Sequence, residues 1–298
     1  MLRALSLLGA SAFIGGATHA AYVSESSAAA VACKPAAKNE CAFSPDEFRG
    51  FKLISSRYES HDTRRFYFAL DGDSTMNLPF ASCVVCKYTD VDGKDITRPY
   101  TPISDNSTKG RFELLIKKYP KSKMGTHIFQ LRQGEELLVK GPFKKFDYSV
   151  NQWSHVGMIA GGTGIAPMFQ VIQGMLQNPK DKTKISLVYA NNARRDILLA
   201  NELTEYQKTY PNFNLYITLL EVPKRWLGGI GYINKEMVEA FMPKPGEKNT
   251  KILVCGPPPM MKVISGDKEF PAGKAPIQGT LSGLLKDMGY TEAQVFKY

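Results

Sequence analysis

GMIAGGTGIAPM, residues 157–168, changes character at its centre. Its opening residues continue an apolar run from Val156, a composition that suits a strand covered on both faces. Gly161, Gly162 and Gly164 then surround Thr163, and Pro167 stands where a first helical turn would begin, a place at which its missing N–H costs nothing. Such a turn lets backbone amides approach an anion at the positive end of a helix. The run is not the G-x-G-x-x-G dinucleotide fingerprint, because Pro167 occupies the position of the last glycine. Taken alone it fits a nucleotide site only modestly better than a plain strand-to-helix connection.

Downstream of this stretch the chain alternates. KISLVYA (184–190), FNLYITLL (213–220) and KILVCG (251–256) read as buried strands, and PMFQVIQGML (167–176), DILLANELTEYQKTY (196–210) and NKEMVEAFM (234–242) read as helices. That order predicts a doubly wound parallel sheet, with ligands at the carboxyl ends of its strands. Upstream the grammar is β-rich: FKLISSRYES (51–60), RRFYFAL (64–70), two strands around an Asp92-Gly93 turn in CVVCKYTDVDGKDITRPY (83–100), GRFELLIKKY (110–119) and EELLVKGPF (135–143). One short helix fits MGTHIFQLRQG (124–134). The expected fold class is therefore two-domain, β followed by α/β: an antiparallel β-barrel over residues 44–150 and the doubly wound nucleotide-binding domain over 151–298.

The length of 298 residues suits two domains, and 43% hydrophobic with 22% charged residues describes a folded chain. A net charge of +10 favours anionic partners, but the lysines are scattered and no nucleic-acid-binding signature is present, so a nucleic-acid partner ranks low. Five cysteines, at 33, 41, 83, 86 and 255, do not form a disulfide framework and fit a reducing environment. Cys83 and Cys86 lie in a strand without further ligands at zinc spacing and read as small buried apolar residues, so no metal is expected. Residues 1–23 carry one Arg, one His and no acid; they read as a membrane anchor or targeting segment, joined by a Ser/Ala/Lys linker over 24–43.

Three further motifs bear on chemistry. RPYTPIS (98–104) sets a guanidinium, a ring and a hydroxyl between stiffening prolines; Arg98 and Tyr100 point together, and Thr101 points away unless the strand ends there. An edge strand blunted by prolines explains this stretch equally well. VCGPPPMM (254–261) ends a strand in Cys255, Gly256 and Pro257, and its prolines are expected to forbid a regular helix or strand directly afterwards. Nothing nearby in sequence would activate Cys255 as a nucleophile, so its role is positioning. In YANNARRDILL (189–199), Asp196 reads as the N-cap of a helix beginning at Ile197. A ligand role for Asn191, Arg194 or Arg195 depends on whether that loop faces the cleft.

RPYTPIS, LLIKKY, GGTGIAPM, DILL and VCGPPPMM stand in the order and approximate spacing found in the NADH-cytochrome b5 reductase family, within the ferredoxin-reductase group, which this chain resembles from about residue 44 to its end. The closing LLKDMGYTEAQVFKY and the apolar N-terminus look most like fungal-type, membrane-attached or mitochondrial versions. The resemblance implies FAD and NADH as cofactors and a hydride passed from NADH to FAD. It also implies single electrons delivered to cytochrome b5 or a similar acidic haem protein. A quinone or another haem protein as acceptor is the nearest alternative, and a non-catalytic nucleotide-binding membrane adaptor is a further one.

By the same resemblance, Arg98 holds the FAD pyrophosphate, Pro99 stiffens the segment, Tyr100 packs on the flavin and Thr101 lies near its reactive nitrogen. Leu115, Lys117 and Tyr119 continue the FAD contacts, as does the phosphate loop Lys123, Met124 and Gly125. Gly125 replaces the family's serine, so a backbone N–H, or the Thr126 hydroxyl, would serve instead. Gly161, Gly162, Thr163, Gly164, Cys255, Gly256 and Pro257 would hold the nicotinamide nucleotide, with Thr101 and Cys255 nearest the chemistry. Ala166 stands where some relatives carry threonine, and Leu220 followed by Glu221 stands where relatives carry an aspartate. Substitution by Glu221 keeps NADH preferred; otherwise Arg194 and Arg195 would accommodate NADPH. Lys117, Lys118, Lys121 and Lys123 would steer the acidic partner, and the implied location is the mitochondrial outer membrane or intermembrane space ahead of the endoplasmic reticulum.

Overall fold

β-Branched and aromatic residues at alternating positions build the first half of the molecule. The computed structural model describes residues 41–271 and 276–298; the expected anchor and most of the linker lie outside the described residues. Six strands, β1 (Arg49–Tyr58), β2 (Thr63–Ala69), β3 (Ser82–Thr89), β4 (Asp95–Tyr100), β5 (Arg111–Lys117) and β6 (Glu136–Lys144), pair antiparallel in the order β4-β3-β6-β1-β2-β5. A single helix, α1 (Lys123–Gln130), sits between β5 and β6. The core of this barrel-like lobe is aromatic: the Phe112 ring lies 5.1, 5.2 and 5.4 Å from those of Phe43, Phe51 and Phe68. Phe43, placed at the end of the linker by sequence, is thus part of the core, because a buried ring contributes about 1.5–3 kcal/mol that a solvated linker would forgo.

The second half is a parallel sheet in the order β10-β9-β8-β7-β11-β12, formed by β7 (His155–Gly161), β8 (Lys184–Ala193), β9 (Phe213–Glu221), β10 (Gly229–Ile230), β11 (Thr250–Cys255) and β12 (Val295–Lys297). Every residue of β7 is buried, as a central parallel strand requires. Met158 packs with α2 (Ile165–Leu176) and α3 (Ala200–Thr209) on one face. Its neighbour Ile159 packs on the other face with α4 (Lys235–Phe241), α5 (Pro258–Ile264) and α6 (Gly283–Asp287). The chain starts this sheet at β7, builds β8 to β10 on one side, then crosses to β11, so the strand order reverses between β7 and β11. Ligand crevices form at such a switch point.

Three local expectations need correction. The prolines of VCGPPPMM do not forbid a helix: α5 opens with Pro258 and Pro259 in its first turn, where missing N–H groups leave no bond unmade. Pro167 is the third residue of α2, not the first, because Gly162–Gly164 form a separate 3₁₀ turn ahead of it. Asp196 caps no helix beginning at Ile197. Arg194–Asp196 form a 3₁₀ turn, the Asp196 carboxylate accepts from Ala193 N at 2.9 Å, and α3 starts only at Ala200. The Leu198 and Leu199 N–H groups are engaged by the Tyr189 hydroxyl and the Glu59 carboxylate, and Leu199 takes φ +57°. β10, β12 and α6 are too short for sequence periodicity to reveal. Among the described residues no helix is long and apolar enough to cross a membrane.

Candidate functional site

β4 ends at Tyr100, so the strand stops where the RPYTPIS stretch would otherwise have turned Thr101 to the opposite face. As the edge of its sheet, β4 tolerates Pro99. Arg98 and Tyr100 lie opposite Cys86 and Val84 of β3, and both of those partners are fully buried. The Arg98 guanidinium is exposed and donates to its neighbour's Thr97 carbonyl at 2.7 Å. Tyr100 packs half-buried on the barrel core, and burial pushes its phenol well above its ordinary range. Arg98 and Tyr119 both lie close enough to act electrostatically on that phenol. Thr101 follows half-buried, ahead of Ile103, whose N–H donates to Glu113 O of β5 at 3.0 Å.

Along β5, Leu115 is buried and Lys117 projects to Asp62, 2.8 Å away. The Lys117 ammonium also lies 5.8 Å from the centre of the Tyr119 ring. Lys123, at the start of α1, pairs with Asp90 at 2.9 Å. The hydrogen bond from Lys123 holds the Asp90 carboxyl below its ordinary range. Although burial opposes it, hydrogen bonds from Lys117, Ser60 and Thr63 do the same for Asp62. Met124 is buried in the barrel core. Of the backbone N–H groups in this loop, that of Gly125 donates to the Ser122 hydroxyl at 3.0 Å as the helix cap, and a Cβ here would lie 2.9 Å from that oxygen.

Two glycine motifs close on each other across the switch point. Ala160 of β7 pairs with Cys255 of β11, which brings residues 161–164 beside 255–257. A Cβ on Gly164 would stand 2.2 Å from Cys255 O, and Cβ atoms on Gly161 and Gly256 would stand 2.5 and 2.6 Å from Met260 Sδ. Gly162 adopts φ +51° with nothing near its missing Cβ, so the turn presents an open backbone surface. Burial raises the Cys255 thiol to about 12, with Lys268 and Lys145 acting in the opposite sense, so it stays protonated and serves by shape. These two lysines were not apparent as site neighbours from sequence, since they lie far from Cys255 along the chain. Cys83 and Cys86 are both buried in β3.

The two halves of the site touch. Tyr119 OH lies 3.3 Å from Thr163 Oγ1, joining the end of β5 to the glycine turn. Arg65 of β2 binds Glu202 of α3 at 2.6 Å, with Glu59 and Glu113 also around its guanidinium. Just beyond the end of β8, Arg195 faces Glu221, the last residue of β9, at 3.7 Å, both largely exposed, while Asn191 is buried in β8. The barrel side thus offers a guanidinium, aromatic rings, lysines and a helix start, a donor set that fits a pyrophosphate joined to a flat heterocycle. The glycine side offers open backbone at a helix start, which fits a second dinucleotide.

Comparison with known proteins agrees with this division. Residues 50–148 match an oxidoreductase FAD-binding domain, and residues 158–266 match an oxidoreductase NAD-binding domain. An NADH-cytochrome b5 reductase-like protein of Arabidopsis thaliana is 47% identical over 264 residues, covering 86% of this chain and 78% of that protein. An NADH-cytochrome b5 reductase 2 of Aspergillus terreus is 43% identical, covering 83% and 77%. Among solved structures, the cytochrome b5 reductase domain of Ulva prolifera nitrate reductase superposes with a TM-score of 0.73 at 29% identity, covering 87% of this chain and all of that domain. Flavohemoglobin from Malassezia yamatoensis, at 17% identity and a TM-score of 0.65 over 85% and 60% of the two chains, shares the fold. With its FAD-binding lobe, its NAD-binding lobe and its relatives all in agreement, the chain belongs to the NADH-cytochrome b5 reductase family of flavin oxidoreductases.

Proposed function

We propose that this enzyme takes reducing equivalents from NADH and delivers them singly to cytochrome b5. The observation that carries the reading is the contact of the two half-sites: the RPYTPIS platform and the glycine turn belong to different lobes, yet Tyr119 and Thr163 meet between them. FAD, when bound, supplies the conversion from a two-electron donor to a one-electron acceptor. Arg98 would neutralise its pyrophosphate, Tyr100 would face its ring, and Thr101, at the strand end, would offer a hydroxyl to its polar edge. The residues 161–164 and 255–257 would seat the nicotinamide nucleotide, with the protonated Cys255 thiol and Pro257 fixing where the nicotinamide stops. No side chain is asked to take or give a proton in the transfer.

Preference for NADH over NADPH would rest on Glu221, whose carboxylate faces Arg195 and would repel a 2′-phosphate. The proposed docking face is narrower than the four-lysine group suggested by sequence. Lys117 and Lys123 are committed to Asp62 and Asp90, whereas Lys118 and Lys121 have no ion-pair partner among the described residues. Reduction of purified cytochrome b5 should slow as ionic strength rises, and slow less in a Lys118→Ala/Lys121→Ala variant. Salt-independent turnover would remove the steering role from Lys118 and Lys121, and a small quinone reduced much faster than the cytochrome would make the quinone the acceptor. Residues 1–23 are proposed to attach the enzyme to a mitochondrial membrane; the full chain found soluble, with the same distribution as one lacking them, contradicts that.

A further inference from the structure

One side chain given no role above ties the RPYTPIS segment to the nucleotide lobe. Gln170 lies on α2, between Ala166 and Gly174, and the three are spaced by four residues, so they share one helix face. Its Oε1 accepts from Ser82 N at 2.9 Å, and its Nε2 donates to Ser82 O at 3.0 Å, so the amide pairs with the backbone of β3 as a neighbouring strand would. The same Nε2 is 3.5 Å from Pro102 O, within the RPYTPIS stretch. One turn further along α2, a Cβ on Gly174 would stand 2.8 Å from the Phe80 ring, so the glycine permits the close approach of helix and barrel. Ala81, Ile103 and Leu115 of the barrel share a buried cluster with Ile165, Ala166 and Phe169 of α2.

The N-terminus of α2 follows directly from the glycine turn. One rigid helix therefore carries the nucleotide-facing turn at its start and grips the flavin platform one turn later. We infer that Gln170 is a positioning residue that fixes the distance and angle between the two cofactor sites. This inference rests on the proposed transfer from NADH to FAD. It goes beyond it by assigning the alignment to a side chain whose hydrogen bonds go to the backbone of the barrel. Hydride transfer is steeply sensitive to misplacement of the reacting groups, so a small slide of α2 against β3 would be felt in the chemical step before it is felt in binding.

The test is anaerobic single-turnover reduction of bound FAD by NADH, expressed per bound flavin, in Gln170→Glu and Gln170→Met, with the visible circular dichroism of the flavin as a second readout. An ionised carboxylate cannot donate to Ser82 O and Pro102 O and repels both; a protonated carboxyl donates again. The expected result is a rate reduced about ten-fold or more in both variants, with NADH affinity changed less than about two-fold and FAD retained. The deficit of Gln170→Glu should shrink as pH falls through the titration of the introduced carboxyl, and that of Gln170→Met should not. Lower thermal stability with an unchanged rate per bound flavin would overturn the inference. So would loss of NADH affinity in step with the rate. Wild-type flavin that NADH fails to reduce would sink the functional reading instead; unchanged flavin dichroism in both variants sinks the inference in either case.

Discussion

On the barrel side the groups that would meet a ligand are side chains, namely Arg98, Tyr100, Lys117, Tyr119 and Lys123, with an aromatic core behind Tyr100 and the acids Asp62 and Asp90 beside the two lysines. On the nucleotide side they would be mostly backbone, the turn of residues 161–164 pressed against residues 255–257 over a mixed aliphatic and aromatic core. A side-chain site can lose one contact and keep its shape. A backbone site of this kind cannot accept even a methyl group where two turns meet, so the lobes should fail differently under substitution.

The largest expected effect is in the barrel core, where Phe112→Ala removes a fully buried ring from contact with three others and should destabilise the protein by about 3–5 kcal/mol, read by denaturant unfolding. An unchanged midpoint would show that the aromatic core does not set barrel stability. Next comes Gly164→Ala, whose Cβ would collide with Cys255 O: a cost of about 1–3 kcal/mol or more, with NAD⁺ binding weakened and FAD retained. Loss of FAD together with nucleotide binding would erase the contrast between the lobes. Arg98→Ala should show the mirror image, weakening FAD retention by about 1.5–3 kcal/mol while leaving the fold intact, measured by flavin release on dilution.

The smallest effect concerns pH. Burial, with Lys184 nearby, lowers His155 in β7 to about 4, and its ring nitrogen lies 2.9 Å from Ser186 Oγ. The folded state therefore resists a proton that the unfolded chain takes up near 6.5. Stability from this group is fully present above pH 6.5 and is lost as pH falls toward about 4. His155→Gln should flatten thermal stability across that window; an identical pH profile would show that His155 is not the group responsible.

Much of the molecule was legible before its structure. Strand alternation and turn residues depend on neighbours in sequence, and they placed β1 to β9, β11 and the hairpin at Gly93, whereas the pairing of residues 161–164 with 255–257 followed only from the family resemblance. What was not legible depends on contacts far apart along the chain. The N-cap expected at Asp196 failed because Tyr189 and Glu59 take the two N–H groups that its side chain would have capped. Two of the four lysines went to Asp62 and Asp90, distant in sequence, whereas the Gly125 N–H went to Ser122, a local helix cap three residues away that the motif comparison had passed over. The proline run misled because prolines that stop one element can start another. Gln170 left no local mark, since a polar residue on an amphipathic helix ordinarily faces water.

Anaerobic titration of the purified protein with NADH, followed by the absorbance of bound flavin and repeated with NADPH, is the most direct measurement of electron entry across the two lobes. The account predicts a yellow protein whose flavin is bleached by one equivalent of NADH, and far more slowly by NADPH. A protein that binds FAD but keeps it oxidised in excess NADH, or one that takes up no flavin, would contradict it.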